Sequence, residues 1–214
     1  MHMQNAGVSW FDLVVLAMAV LGVIRGRKHG ISEELLTVIQ WLAILALGAY
    51  TYKEGGSFLH DLTGLGLASS HIVVYLATAA VLKLLFGWLR RLCGDKLLTS
   101  DAFGSAEYPL GMVAGIIRYF CIILFFLSLI NSIYVSPAEK AAYTKMQNDV
   151  YGKTYFPSLG GIQDNIFKDS FAGRQVKKYL PQVLMDPVVN QQGPALDTLK
   201  KKRQGALDDA INPK

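Results

Sequence analysis

Apolar residues gather into four long stretches within the first 135 positions, roughly 8–24, 35–52, 72–89 and 110–135, and polar or glycine-rich segments separate them. A helix rises about 1.5 Å per residue and the hydrocarbon core of a bilayer is about 30 Å thick, so each stretch is long enough, or nearly so, to cross. Backbone groups in lipid must satisfy one another, which makes such stretches helices. The pattern predicts an all-α polytopic membrane protein with four transmembrane helices over residues 1–135.

Local punctuation sets the expected ends. Ser9 and Asp12 have the spacing of a capping box, with Asp in place of the usual Glu or Gln, and would start the first helix. Gly30 and Ser32 divide the first helix from the second, where Glu33 and Glu34 suit the positive end of the helix dipole. Gly55, Gly56, Gly64 and Gly66 mark residues 53–69 as a flexible loop, and Pro109 fits the first turn of the fourth helix. Ser136-Pro137-Ala138-Glu139 reads as a further N-cap that closes the membrane region.

The pattern changes beyond residue 135. A helix is expected over 137–150, and Tyr155-Phe156-Pro157 and Gly160-Gly161 break the chain after it. Ile162, Ile166, Phe167 and Phe171, then Val176, Tyr179, Leu180, Val183 and Leu184, recur at helical spacing among Lys168, Arg174, Lys177 and Lys178. Residues 136–195 therefore read as an extramembrane amphipathic helical segment, lying on a membrane surface, on the four-helix unit or on the protein's own outer loop. Residues 196–214, with Lys200-Lys201-Lys202-Arg203, read as a basic flexible tail.

Composition agrees with the membrane reading. Charged residues make up 17% of the 214-residue chain against about 25% in soluble domains, and mean hydropathy is +0.31. The formal charge of +5 sits beside or beyond the spans, which points to the lipid bilayer as the first partner and away from nucleic acid. Arg25, Arg27 and Lys28 follow the first span, and Arg90, Arg91 and Lys96 follow the third. Lys53 alone lies between the second and third, and residues 1–7 hold no Lys or Arg. This bias places the two basic loops in the cytoplasm and both termini outside. The charge behind the first span, not in front of it, argues for an uncleaved span over a signal peptide.

Glycines provide the most specific motif. Gly22-Val23-Ile24-Arg25-Gly26 ends the first span, and Gly111, Gly115 and Arg118 repeat the spacing in the fourth. Small residues four apart flatten one helix face so that a partner backbone can approach, the usual route to helix association in lipid. Arg25 and Arg118 have two readings. One is snorkelling to phosphates at the boundary; the other is a charged cluster between the first and fourth helices, with Glu33 or Glu34 as partner.

At these motifs the chain resembles the CvpA family, the colicin V production protein family of bacterial inner-membrane proteins. Trp10-x-Asp12 opens the first helix, Gly22-x-x-Arg25-Gly26 closes it, and Gly111-x-x-x-Gly115-x-x-Arg118 stands in the fourth. The resemblance covers about residues 8–135, with Glu107 and Tyr119 as departures from the expected pattern. It implies an inner-membrane protein needed for colicin V production or secretion and linked to envelope stress, with no known reaction. Some relatives carry an extracytoplasmic protease domain after the spans. Here there is no Gly-x-Ser-x-Gly in the tail, and all four His precede residue 72.

Remaining polar residues have structural readings beside functional ones. Asp12, three residues after Ser9, reads as a helix cap, and as an intramembrane functional group in the alternative. Lys83 lies within the third span near snorkelling range. Gln40 and Trp41 read as helix contacts. His2, His29, His60 and His71 have no ligand partners at metal spacing. Cys93 falls in a loop and Cys121 in the fourth span, without a CxxC neighbour. No cofactor and no enzymatic activity are expected. The preferred function is a non-enzymatic membrane component that assists toxin production, export or envelope maintenance through a homo-oligomer or membrane partner proteins. The alternative is a small oligomeric channel or transporter subunit, with Asp12, Lys83, Arg25 and Arg118 along its pathway.

Overall fold

A computed structural model describes residues 9–98, 104–151 and 158–188. The segment before Ser9, the Tyr155-Phe156-Pro157 break and the basic tail at 196–214 lie outside the described residues, as do the side chains of Cys93 and Lys96. The described residues are helical: α1 (Trp10–Thr63), α2 (Leu67–Leu98), α3 (Glu107–Asn131), α4 (Pro137–Tyr151), α5 (Leu159–Asp164) and α6 (Phe171–Tyr179). A π-helical turn (Asn165–Asp169) joins α5 to α6, and Ile133 makes an isolated parallel bridge to Val188.

Where four spans are expected, the described residues hold three helices long and apolar enough to cross a membrane, and the first two apolar stretches share one of them. The reason is α1, whose 54 residues contain one non-helical position, Gly30, at φ 72° and ψ 174°. A side chain there would be strained, so the position requires glycine. Contacts on the two sides of Gly30 run in opposite senses. In the first arm (residues 10–29), Gly22 faces Gly115 and Gly26 faces Gly111, so α3 runs antiparallel to it. In the second arm (31–63), Glu34 meets Arg118 and Trp41 meets Phe125, so α3 runs parallel. Only a chain that doubles back at Gly30 can satisfy both. The two arms form a helical hairpin with almost no loop, and α3 packs along both.

The expected flexible loop at 53–69 is corrected by the structure. Helix α1 continues to Thr63, Gly64 caps it in the left-handed conformation, and α2 begins at Leu67. Gly55 and Gly56 are packing positions: a Cβ on Gly55 would stand 2.8 Å from Val74 Cγ1, and one on Gly56 would overlap the His71 ring. Gly48 does the same for the Tyr75 ring, where a Cβ would meet Cε2 at 2.5 Å. Three glycines along one face thus seat α2 against the second arm.

The core runs from Ile44, Leu45, Tyr52 and Tyr75 through Leu124, Phe125 and Leu127 of α3 into Ile166, Phe167, Val176 and Met185. Tyr75 stacks on Phe125 at 5.2 Å between ring centres. Facing outward are Leu16, Val20 and Ile24 of α1, Val81, Leu84 and Trp88 of α2, and Val113 and Ile116 of α3. A soluble protein rarely shows apolar patches on this scale, whereas lipid requires them. The chain is a membrane protein by this construction.

Residues 158–188 fold back over the end of the bundle, so among the described residues the amphipathic segment packs on the protein's own helices. Gln163 Nε2 donates to the carbonyls of Ile130 and Ile133, each at 2.7 Å. Asn131 Nδ2 donates to the Met185 carbonyl, and the Met185 N–H donates to Ser128 Oγ. The Asp186 N–H donates to the Tyr52 hydroxyl, and its carboxylate pairs with Lys53. Among these, the Gln163 bond to Ile130 gives one of the last carbonyls of α3 a partner that the helix itself does not supply.

Candidate functional site

The glycine face brings backbone against backbone. A Cβ on Gly22 would lie 2.8 Å from the Gly115 carbonyl oxygen, and one on Gly111 would lie 2.7 Å from the Gly30 carbonyl carbon. Side chains on Gly26 or Gly115 would overlap the backbone facing them outright. All five glycines are buried. The flat strips of the first arm and α3 meet over nearly two turns, which allows many short-range dispersion contacts in the absence of a hydrophobic driving force.

At the hairpin end of this contact sits a buried carboxylate, Glu34, with 3% of its side chain exposed. Arg118 Nη1 donates to both of its oxygens, at 3.0 and 2.9 Å, and Arg25 Nε stands 3.7 Å from Oε1. Of the two readings for these arginines, the structure places both on one carboxylate. Arg118 is the deeper, at 17% side-chain exposure against 49% for Arg25. Two guanidiniums around one carboxylate leave a net positive cluster that ties the second arm to α3 and to the first arm. A charge so placed is tolerated only because it is paired, and removing one partner from such a pair is far more damaging than replacing both.

Glu107 completes the junction. It is 5% exposed, its Oε1 accepts from the Ser32 N–H at 2.8 Å, and its stem covers Gly30 where a Cβ would collide with it. The carboxylate thus caps the first turn of the second arm, where helix N–H groups need acceptors. Glu107 Oε2 and Arg118 Nε are buried with no protein partner among the described residues.

Asp12 works at the opposite end. Its carboxylate accepts from Ser170 Oγ at 2.8 Å and from the backbone N–H groups of Ala172 and Phe171 at 3.0 and 3.1 Å. Ser170 is itself the N-cap of α6, and Ser9, the N-cap of α1, donates to Asn165 Oδ1 at 2.8 Å. Asp12 therefore serves mainly the start of α6, and its expected role at the start of its own helix is the lesser part. Lys83 is exposed on α2, with its ammonium 6.0 Å from the centre of the Trp41 ring. Cys121 is a buried thiol. Arg25 and Arg118 meet; Asp12 and Lys83 join neither them nor each other. Among the described residues no three His, Cys, Asp or Glu side chains gather as a metal site.

A glycine strip shared by the first and third helices, with an arginine three residues beyond a glycine in each, is the arrangement on which the sequence resemblance rested. The profile of the family described as Colicin V production protein matches residues 11–148. The chain belongs to that family. The match takes in all three long helices and reaches into α4, beyond the motif-bearing region around 8–135. No curated protein and no solved structure matches the chain significantly.

One member of the site, Glu107, and one packing residue outside it, Ser128, were not singled out as such from sequence. Glu107 stood out only as a departure from the family pattern, and its burial over Gly30 explains why a longer acid fits there. Ser128 carries no sequence signal, since a lone Ser in an apolar run usually bonds its own helix. It becomes visible only through Met185.

Proposed function

We propose that this CvpA-family protein crosses the bacterial inner membrane four times, twice through the arms of α1, and assists toxin production, export or envelope maintenance as a non-enzymatic partner-binding component. The observation that carries this reading is where the polar groups go. Arg25 and Arg118 both pair with Glu34, and Asp12 is spent on α6, so among the described residues these groups brace the fold and do not line a common path. The outer faces of α1, α2 and α3 are apolar and suit lipid or the helices of other membrane proteins.

For orientation, the support is the positive-inside bias. Arg25, Arg27, Lys28, Arg90 and Arg91 gather toward the hairpin end, which we assign to the cytoplasm, and the tail then lies on the outer face. Crosslinking in native membranes followed by mass spectrometry tests the function. Heterologous membrane proteins are the expected products. A uniform homo-oligomer without other partners would refute the reading and favour a channel or transporter subunit.

A further inference from the structure

Away from the helix interfaces, cations gather in a cavity of about 300 Å³ where α4, α5 and α6 meet the end of α3. Lys140, Lys168 and Lys177 line it, together with a single acid, Asp164. The stem of Lys140 passes across Gly160, where a Cβ would stand 2.7 Å from its Cε, so the glycine opens the route. Lys140 and Lys168 each bond one oxygen of Asp164 at 2.8 Å. Burial alone would raise the Asp164 carboxyl, but the two ammonium groups outweigh it and hold the carboxyl below its ordinary value. Lys177 stands 5.5 Å from the centre of the Phe167 ring and has no carboxylate partner among the described residues.

Three ammoniums and one carboxylate leave two positive charges facing the cavity. An ammonium has three donors, so Lys140 and Lys168 each keep donors beyond the one given to Asp164, and Lys177 keeps all of its own. The place matters as much as the charge. Asn131, where α3 ends, and Tyr134 line the same cavity, level with the ends of the spans. Helix α6 turns Phe171 and Tyr179 outward, and Phe171 lies beside Leu16 and Ala19 on the lipid-facing side of α1. Cations beside exposed aromatics on a short amphipathic helix suit the headgroup layer.

We propose that this cavity binds a phosphate group, the chemistry common to a phospholipid headgroup and to free phosphate. Phosphate presents several acceptor oxygens to donors on three sides, and its charge balances the surplus of the lysines. Lys168 and Lys177 are the binding residues that can be changed without removing the Lys140–Asp164 brace.

The test uses the full-length protein in a neutral detergent, with phosphatidylglycerol and inorganic phosphate as separate probes at constant ionic strength. Native mass spectrometry reads lipid binding, and thermal shift reads phosphate. Binding to the parent should weaken roughly fivefold for each of Lys168→Gln and Lys177→Gln. Lys178→Gln, whose ammonium sits over the Tyr179 ring outside the cavity lining, should leave it unchanged. Binding of phosphatidylglycerol alone identifies a headgroup as the source, and binding of inorganic phosphate identifies free phosphate. Equal binding by parent and Lys168→Gln/Lys177→Gln, or equal losses in Lys177→Gln and Lys178→Gln, would overturn the proposal.

Discussion

Replacing Gly26 with Ala tests the contact between the first arm of α1 and α3 at its tightest point. The new Cβ would meet the Gly111 carbonyl carbon at 2.6 Å and Met112 Cα at 2.9 Å, with the Gly111 oxygen nearer still. Ordinary contact begins at about 3.4 Å, and every atom in the way is backbone, so no rotamer change can make room. The helices must separate by close to 1 Å or more. Overpacking of this kind costs about 1–3 kcal/mol, and lost interhelical contact in lipid adds ~1 kcal/mol. The separation also disturbs Arg25, the neighbouring residue, and its approach to Glu34. A total near 3 kcal/mol corresponds to a fall in Tm of roughly 5–15 °C for a chain of this size. Thermal unfolding in detergent, followed by circular dichroism, measures it. Gly87→Ala on α2 is the control, because a Cβ there meets nothing within 4 Å. If both variants melt with the parent, the backbone contact is not what holds the arm to α3.

Two further outcomes follow from the charged groups. Arg118→Met leaves Glu34 buried without its close partner and should destabilise by about 3–5 kcal/mol, whereas Arg118→Met with Glu34→Leu should recover most of the loss; a double variant no better than the single would mean the pair does not act as a unit. Asp12→Ala removes three acceptor contacts at the start of α6 and should cost about 1–2 kcal/mol. Its expected sign is faster limited proteolysis near residues 158–188 with the spans intact, and an unchanged cleavage rate would show that Asp12 does not hold the tail.

Much of the bundle is legible in sequence because it depends on period and composition. The helical character of the apolar stretches, the break at Gly30 and the paired glycine strips all survive as structure, but the four stretches fall on three long helices, the first two joined through a single residue. The misread segment, 53–69, shows the limit. Gly55 and Gly56 look like loop glycines in sequence, and only the presence of Val74 and His71 opposite them reveals a packing role, whereas Gly64 does terminate the helix. Asp12 is legible only in part: its place beside the Ser9 cap holds, but its bonds to α6 lie beyond local reach. A cap three residues after Ser9 explains it fully on local grounds, and nothing local points to Ser170, 158 positions away. Glu34 was nearer to hand, because an acid beside two motif arginines has a counter-charge to find. Which of Glu33 and Glu34 turns inward is decided by the helix phase set at Gly30.

The bond between Asp12 and Ser170 also imposes an order in time. At ~5–20 residues per second, the chain that supplies Ser170 emerges roughly 8–30 s after Asp12 does. Through that interval Asp12 has no Ser170 to accept from, and Ser9 has no Asn165. What can hold the first arm earlier is α3, whose Gly111, Gly115 and Arg118 are synthesised about 50 residues before Ser170 and meet Gly22, Gly26 and Glu34 at the hairpin end. The protein therefore closes from its hairpin end toward the opposite end. The clasp between Asp12 and Ser170 is fastened only after α3 is in place, and the bonds of Met185 and Asp186 to Ser128 and Tyr52 come later still.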